Sequence, residues 1–208
     1  ISTSTHQIRT TRGTIKYTQL ILAQGARPAL PSALPAELCW RINDLAGWSG
    51  LREKLSEKPQ KIAIVGAGMI GCELAEDFAQ AGHQVTLMDI QAHPLSALLP
   101  EAASLLLRKK QQCLGIDYLG NTLVSAVTET GDGKKLIRTR EGHEIEVDHV
   151  IAATGLVTDR RLPDNAGIVF ENGIKVDKAT LRTSAPDVYA LGDCVSFEGV
   201  PCRTVLTV

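Results

Sequence analysis

Ile62-Ala63-Ile64-Val65 is an unbroken apolar run, followed by a glycine turn and then by Ile70, Leu74, Ala75 and Phe78 at helical spacing. A strand that is apolar at every position has no face for water, so it belongs in a sheet covered on both sides. The stripe behind it predicts a helix over 69–81 that buries those four residues, with Gly82 as a left-handed cap. Val85-Thr86-Leu87-Met88 predicts the next strand. A helix from about 101 to 114 then carries Glu101 in its first turn and Arg108, Lys109 and Lys110 near its end, where each sign suits the helix dipole, and Gly115 stops it. Strands alternating with helices predict a parallel, doubly wound α/β sheet.

The remaining pattern is shorter. Strand-like pieces surround Arg12-Gly13, and the apolar run 19–23 ends at the loop 24–28. Pro28, Pro31 and Pro35 make 28–36 read as a linker. Asn43 or Asp44 can cap a helix to about Lys58, with Leu45, Trp48, Leu51 and Leu55 on one face and Pro59 ending it. Beyond Gly115 the period changes to that of strands. Residues 123–130 and 136–139 flank the hairpin signal Gly131-Asp132-Gly133, and Glu141-Gly142 precedes a strand at 144–147. Val150 to Ala153 is again buried and is closed by Thr154-Gly155; strands follow at 174–177 and 187–191, the latter ending at Gly192-Asp193. The hairpins predict an antiparallel β layer added to the parallel sheet.

Composition narrows the function classes. The chain has 208 residues, 44% hydrophobic and 22% charged, as in an ordinary soluble globular protein. A net charge of −1 lacks the basic excess that nucleic acid calls for. No apolar run approaches the roughly 20 residues that span a bilayer, and Ile1 to Thr5 has no signal-peptide character, so a cytoplasmic location is expected. The cysteines, Cys39, Cys72, Cys113, Cys194 and Cys202, are odd in number and form no Cys-x-x-Cys pair, which predicts reduced thiols, mostly buried. His83, His143 and His149 have no ligand spacing and are expected at the surface; no metal site is predicted. The start without Met and the β-branched run 204–208 lead us to expect a piece of a longer protein.

Gly66-Ala67-Gly68-Met69-Ile70-Gly71 follows a strand and opens a helix, and Asp89 ends the next strand 18 residues past Gly71. That context makes G-x-G-x-x-G a Rossmann dinucleotide fingerprint. Gly66 allows the tight turn, Gly68 lets the backbone approach a pyrophosphate, and Gly71 lets the helix pack closely. The helix N-terminus offers N–H groups to the phosphates, and Asp89 can accept from the ribose hydroxyls. A 2′-phosphate against Asp89 would cost several kcal/mol, about 100-fold or more in affinity. Ile90, Gln91 and Ala92 supply no arginine to offset it, and His93 reads as a surface turn residue, so the expected cofactor is NAD(H).

Ala23-Gln24-Gly25, the fingerprint with Glu73, Ala153-Thr154-Gly155 and Tyr189-Ala190-Leu191-Gly192-Asp193 occur in this order. Together they resemble the FAD-dependent pyridine nucleotide-disulfide oxidoreductases over nearly the whole chain. Residues 94–100 and 189–194 look most like those of rubredoxin–NAD and flavorubredoxin reductases. The resemblance implies residues 1–36 as a remnant of an FAD-binding domain, 37–158 as the NAD(H)-binding domain and 159–208 as the return to a truncated FAD domain. It implies hydride transfer from NADH to FAD, then electrons to rubredoxin or a similar small redox protein. Asp193, after Gly192, would bind the ribityl chain of FAD; Glu73 and Ile70, beside Met69, would lie on the nicotinamide side, and Gly155 near where the cofactors meet. Hydride transfer needs no protein acid or base, so no catalytic residue is assigned. The family's first FAD fingerprint is absent, Gln24 stands where the family has Thr, and FAD is expected in the longer parent. A ferredoxin reductase or a nitrite reductase flavin subunit shares these motifs, and an NADH-sensing module without turnover is the alternative of another class. The oligomeric state is not encoded in any motif.

Overall fold

The computed structural model describes residues 1–55 and 58–202. It divides into two compact units, one of residues 28–155 and the other of residues 1–27 with the chain from Leu156 onward.

In the 28–155 unit, β1 (Cys39–Trp40), β2 (Lys61–Val65), β3 (Gln84–Met88), β4 (Asp117–Leu119) and β8 (His149–Ala152) form a five-stranded sheet in the order β1-β8-β2-β3-β4. Every pairing in it is parallel. The helices α1 (Leu45–Lys54), α2 (Met69–Gln80) and α3 (Glu101–Cys113) connect its strands. Between β4 and β8 the chain makes β5 (Val124–Glu129), β6 (Lys135–Thr139) and β7 (Glu144–Val147), an antiparallel meander. The expected α/β fold, a Rossmann-like parallel sheet with an added antiparallel layer, is therefore present.

The layers explain the apolar run. Ile62 and Ile64 of β2 pack with Leu51, Ala75 and Phe78 of the helices. Ala63 and Val65, pointing the other way, pack with Val127, Ile137 and Val147 of the antiparallel sheet. Both faces of β2 are dry, and its four apolar residues are needed.

Helix α2 departs from the expected stripe. Gly71, Cys72, Ala75 and Phe78 are its buried residues, whereas Ile70 is 46% exposed. Its first turn meets the glycine loop, so the small Gly71 faces inward there. Helix α1 is capped by Asp44, whose carboxylate accepts from the Gly47 amide at 2.8 Å. It ends at Lys54 because Leu55 is extended; Leu45, expected on the buried face, is 77% exposed, and residues 56–57 of the anticipated helix lie outside the described residues. The proline-rich stretch read as a linker instead contributes the buried Leu34 to the core. His149 is also not a surface residue. It is half-buried, its Nδ1 accepts from the Trp40 indole at 3.4 Å, and burial lowers its pKa.

The other unit is built on short strands. Leu20–Leu22 pairs in parallel with Val188–Ala190, and Ile174–Lys175 with Val195–Phe197. Leu22, Val188, Ala190 and Cys194 lie in its core. All five cysteines are free; Cys39, Cys72 and Cys194 are buried, Cys202 is partly covered and Cys113 is exposed. Among the described residues no helix is long and apolar enough to cross a membrane, and no cluster could hold a metal ion.

Candidate functional site

A cavity of about 460 Å³ opens beyond the carboxyl ends of β2, β3 and β8. Its walls include Gly66, Gly68, Asp89 and Gly155. In the order β1-β8-β2-β3-β4 the chain steps from β2 through β3 to β4 on one side and then crosses to β8 on the other side of β2, so this is the switch point at which open α/β sheets bind ligands.

The glycines divide the work. Gly66 turns the chain out of β2 with φ of +108°, a conformation that side chains avoid, and a Cβ there would lie 2.3 Å from the Ala153 carbonyl oxygen. A Cβ on Gly71 would meet the Gly66 carbonyl oxygen at 1.8 Å, so this residue lets α2 seat against the turn. Gly68 differs, since a Cβ there would meet nothing within 4 Å. It is the N-cap of α2 without a side-chain cap bond, and the first intrahelical bond is from the Cys72 amide to its carbonyl. The first turn of α2, whose amides have no intrahelical acceptor, thus starts at a bare and open backbone, an arrangement that fits the pyrophosphate of a dinucleotide.

Asp89, just past β3, holds the opposite wall. Its Oδ2 accepts from the Ala67 amide at 2.5 Å and its Oδ1 from the Gln91 amide at 2.8 Å. Each carboxylate oxygen has a second lone pair, so acceptor capacity remains on a residue that lines the cavity. The third wall comes from β8. The Ala153 amide donates to the Val65 carbonyl at 2.8 Å, and Thr154 Oγ1 donates to the Ala29 carbonyl at 2.7 Å.

The structure brings Gly66, Gly68, Asp89 and Gly155 around one cavity and leaves the other named residues of this unit off its lining. Gly71 is buried behind the turn, while Met69, Ile70 and Glu73 lie exposed on the first turns of α2. Gly192 and Asp193 are in the other unit, in a short 3-10 turn at the end of the buried strand Val188–Ala190. Gly192 has φ of +77°; Asp193 is exposed, and its carbonyl accepts from Thr158 Oγ1 at 3.2 Å. Cys194 beside it is buried, and burial pushes its thiol pKa up. The sequence missed Leu34, Thr122 and Leu123 of the cavity wall. Leu34 and Thr122 come from segments that read as linker or loop and Leu123 from the start of an expected strand, and only the Thr154-Gly155 strand ending gave a local signal on that side.

A family model described as pyridine nucleotide-disulphide oxidoreductase matches residues 2–205. A relative from Klebsiella pneumoniae subsp. pneumoniae called nitric oxide reductase FlRd-NAD(+) reductase is 38% identical over 185 residues, which is 89% of this chain and 48% of the relative. One of the same name from Aeromonas salmonicida is 38% identical over 193 residues, 92% of this chain and 49% of its own. Among solved structures, the covalent putidaredoxin reductase–putidaredoxin complex superposes with a TM-score of 0.86 at 26% identity, over 95% of this chain and 49% of that one. A ferredoxin reductase from Rhodopseudomonas palustris gives 0.87 at 25% identity, again over 95% and 49%. The chain spans about half the length of the curated relatives it matches.

Proposed function

The chain belongs to the pyridine nucleotide-disulphide oxidoreductases, and from that premise we propose that its 28–155 unit is the NADH-binding part of an FAD-dependent reductase serving a small electron carrier. The observation that carries this reading is the bare backbone at Gly68, open to the cavity and faced by the Asp89 carboxylate. NADH held there would supply a hydride, for which FAD would be the acceptor in the longer protein. Gly68 and the first amides of α2 bind the pyrophosphate, and Asp89 accepts from the ribose hydroxyls and repels a 2′-phosphate. Met69, Ile70 and Glu73 flank the nicotinamide end, Gly155 lies toward the flavin, and Gly192 with Asp193 serves the ribityl chain of FAD. No side chain is needed to move a proton.

The carrier is rubredoxin or a protein of that type, supported by the names of the curated relatives. A ferredoxin-type carrier is the second reading, supported by the two reductases of similar fold. The Gly192-Asp193 turn at the end of a buried strand favours a flavin reductase over a sensor that binds NADH without turnover, because a sensor has no use for it.

Calorimetric titration of the chain with NADH and NADPH, beside Asp89→Ala, tests the assignment. Tighter binding of NADH, with the preference eroded in the variant, is the expected result. Equal affinities in the unaltered chain, or no binding of either, overturn it.

A further inference from the structure

The 89–91 turn is held by residues at the end of β4 and just beyond it, of which Tyr118, Leu119 and Asn121 lie off the cavity lining. The Asp89 amide donates to the Leu119 carbonyl at 3.0 Å, and its carbonyl accepts from the Thr122 amide at 2.9 Å. Two residues on, the Gln91 carbonyl accepts twice, from the Asn121 amide at 3.1 Å and from the Tyr118 hydroxyl at 3.0 Å. Gln91 in turn donates its amide to Asp89 Oδ1. Among the described residues, the hydrogen bonds of the 89–91 turn other than the one from Ala67 therefore run within the turn or to residues 118–122, at and just past the end of β4.

The end of β4 is shaped for this. Tyr118 is 8% exposed, with the Arg108 guanidinium 5.2 Å from its ring centre. Burial, with the nearby Asp89 charge next in size, pushes its hydroxyl pKa up, so it stays a donor. Gly120 leaves no room for a side chain: a Cβ would lie 2.6 Å from the Ala92 carbonyl oxygen and 2.9 Å from that of Gln91. Asn121 takes the left-handed conformation, with φ of +52°, that turns its amide onto Gln91.

From this arrangement we propose that Tyr118, Gly120 and Asn121 form a clamp that sets the position of the Asp89 carboxylate, and so act as positioning residues for the choice of NADH over NADPH. The proposal rests on the NADH reading above. A methyl group on Gly120 would have to push the 90–92 backbone away. Displacing the carboxylate weakens a hydrogen bond from the ribose to a charged acceptor, and an affinity loss of about tenfold is expected. The loss falls on NADH, which gains from Asp89, and not on NADPH, which Asp89 repels.

The test measures NADH and NADPH affinities of the 208-residue chain, of Gly120→Ala, of Tyr118→Phe, and of each combined with Asp89→Ala, with circular dichroism to report folding. Gly120→Ala is expected to weaken NADH about tenfold while NADPH changes less than about threefold, and to add less than about threefold once Asp89 is gone, because coupled residues are not additive. Equal losses for both dinucleotides, or a full loss in the Asp89→Ala background, overturn the clamp and leave packing alone. If Gly120→Ala does not fold, Tyr118→Phe decides. It keeps the ring, removes one hydrogen bond and should narrow the ratio about threefold, the worth of a weak hydrogen bond; an unchanged ratio overturns the proposal. Failure of the underlying reading shows separately, as no NADH preference in the unaltered chain.

Discussion

The Ala67 amide donates to Asp89 Oδ2 at 2.5 Å, which ties the middle of the glycine loop to the residue proposed to bind the ribose. Two fingerprint positions 22 residues apart are thus one local structure. A carboxylate that also accepts from the Gln91 amide braces two backbone N–H groups at once. Asp89→Ala leaves both without their acceptor, and a part-buried donor so orphaned costs about 1–3 kcal/mol. Urea unfolding is expected to show a loss of that size, with a smaller loss for Asp89→Asn, which keeps one carbonyl acceptor.

Gly68 and Gly71 are expected to separate binding from stability. Gly68→Ala meets nothing within 4 Å and has an ordinary negative φ of −74°, so its melting temperature should stay within about 2 °C, as for a surface change within ±0.5 kcal/mol. Its methyl group occupies the space proposed for the pyrophosphate, and NADH affinity should fall at least about tenfold, a change of 1.4 kcal/mol. Gly71→Ala instead drives a methyl into the Gly66 carbonyl and should unfold or strongly destabilise the 28–155 unit. Melting curves and NADH titrations of both variants check the contrast.

Leu51 is fully buried on α1 and packs in the cluster that includes Ile62, Ile64 and Phe78. Truncation to alanine removes its buried methyl groups and leaves a void. A loss of about 2–5 kcal/mol in unfolding free energy is expected, with the exposed Leu45→Ala close to neutral as the control.

Burial pushes the Cys39 thiol up to about 11 from an ordinary value of 9.0. The unfolded chain therefore releases this proton at lower pH than the folded one. Stability from Cys39 is fully present below pH 9.0, falls as pH rises toward about 11, and is constant above that. Over that window the change amounts to about 2–3 kcal/mol at 1.36 kcal/mol per unit. Unfolding midpoints between pH 8.5 and 11 check this, with Cys39→Ala expected to flatten the slope. In the folded chain at neutral pH, a thiol reagent should modify the exposed Cys113 first and spare Cys39, Cys72 and Cys194.

The fingerprint and the central strands were legible because their chemistry is local. Four consecutive apolar residues describe β2, and a turn, a helix start and an acidic strand end fall within one βαβ unit. The edges were not. Strand β4 is Asp117-Tyr118-Leu119 with only Tyr118 buried, too short to show a period, and β1 is two residues long. Ile70 has the right spacing for a buried stripe, yet it turns outward because Gly71 takes the position against the Gly66 carbonyl. Pro31 and Leu34 read as linker, although the fold uses them as a wall of the cavity. The contact from Tyr118 to Gln91 spans 27 residues and depends on β3 and β4 lying side by side, which no window of sequence contains.

Strand β7 ends at Val147 and β8 begins at His149, so a single residue carries the chain from the antiparallel layer into the parallel sheet. That residue, Asp148, is fixed at both ends: its amide donates to the Lys61 carbonyl at 2.9 Å, and its carboxylate accepts from the Lys61 amide at 2.8 Å. There is no slack in which the outer layer could swing away from β8. The wall formed by Ala153 and Thr154 is ordered when the chain folds, so the entropy of assembling that side of the cavity is lost during folding and is not charged again when a ligand arrives.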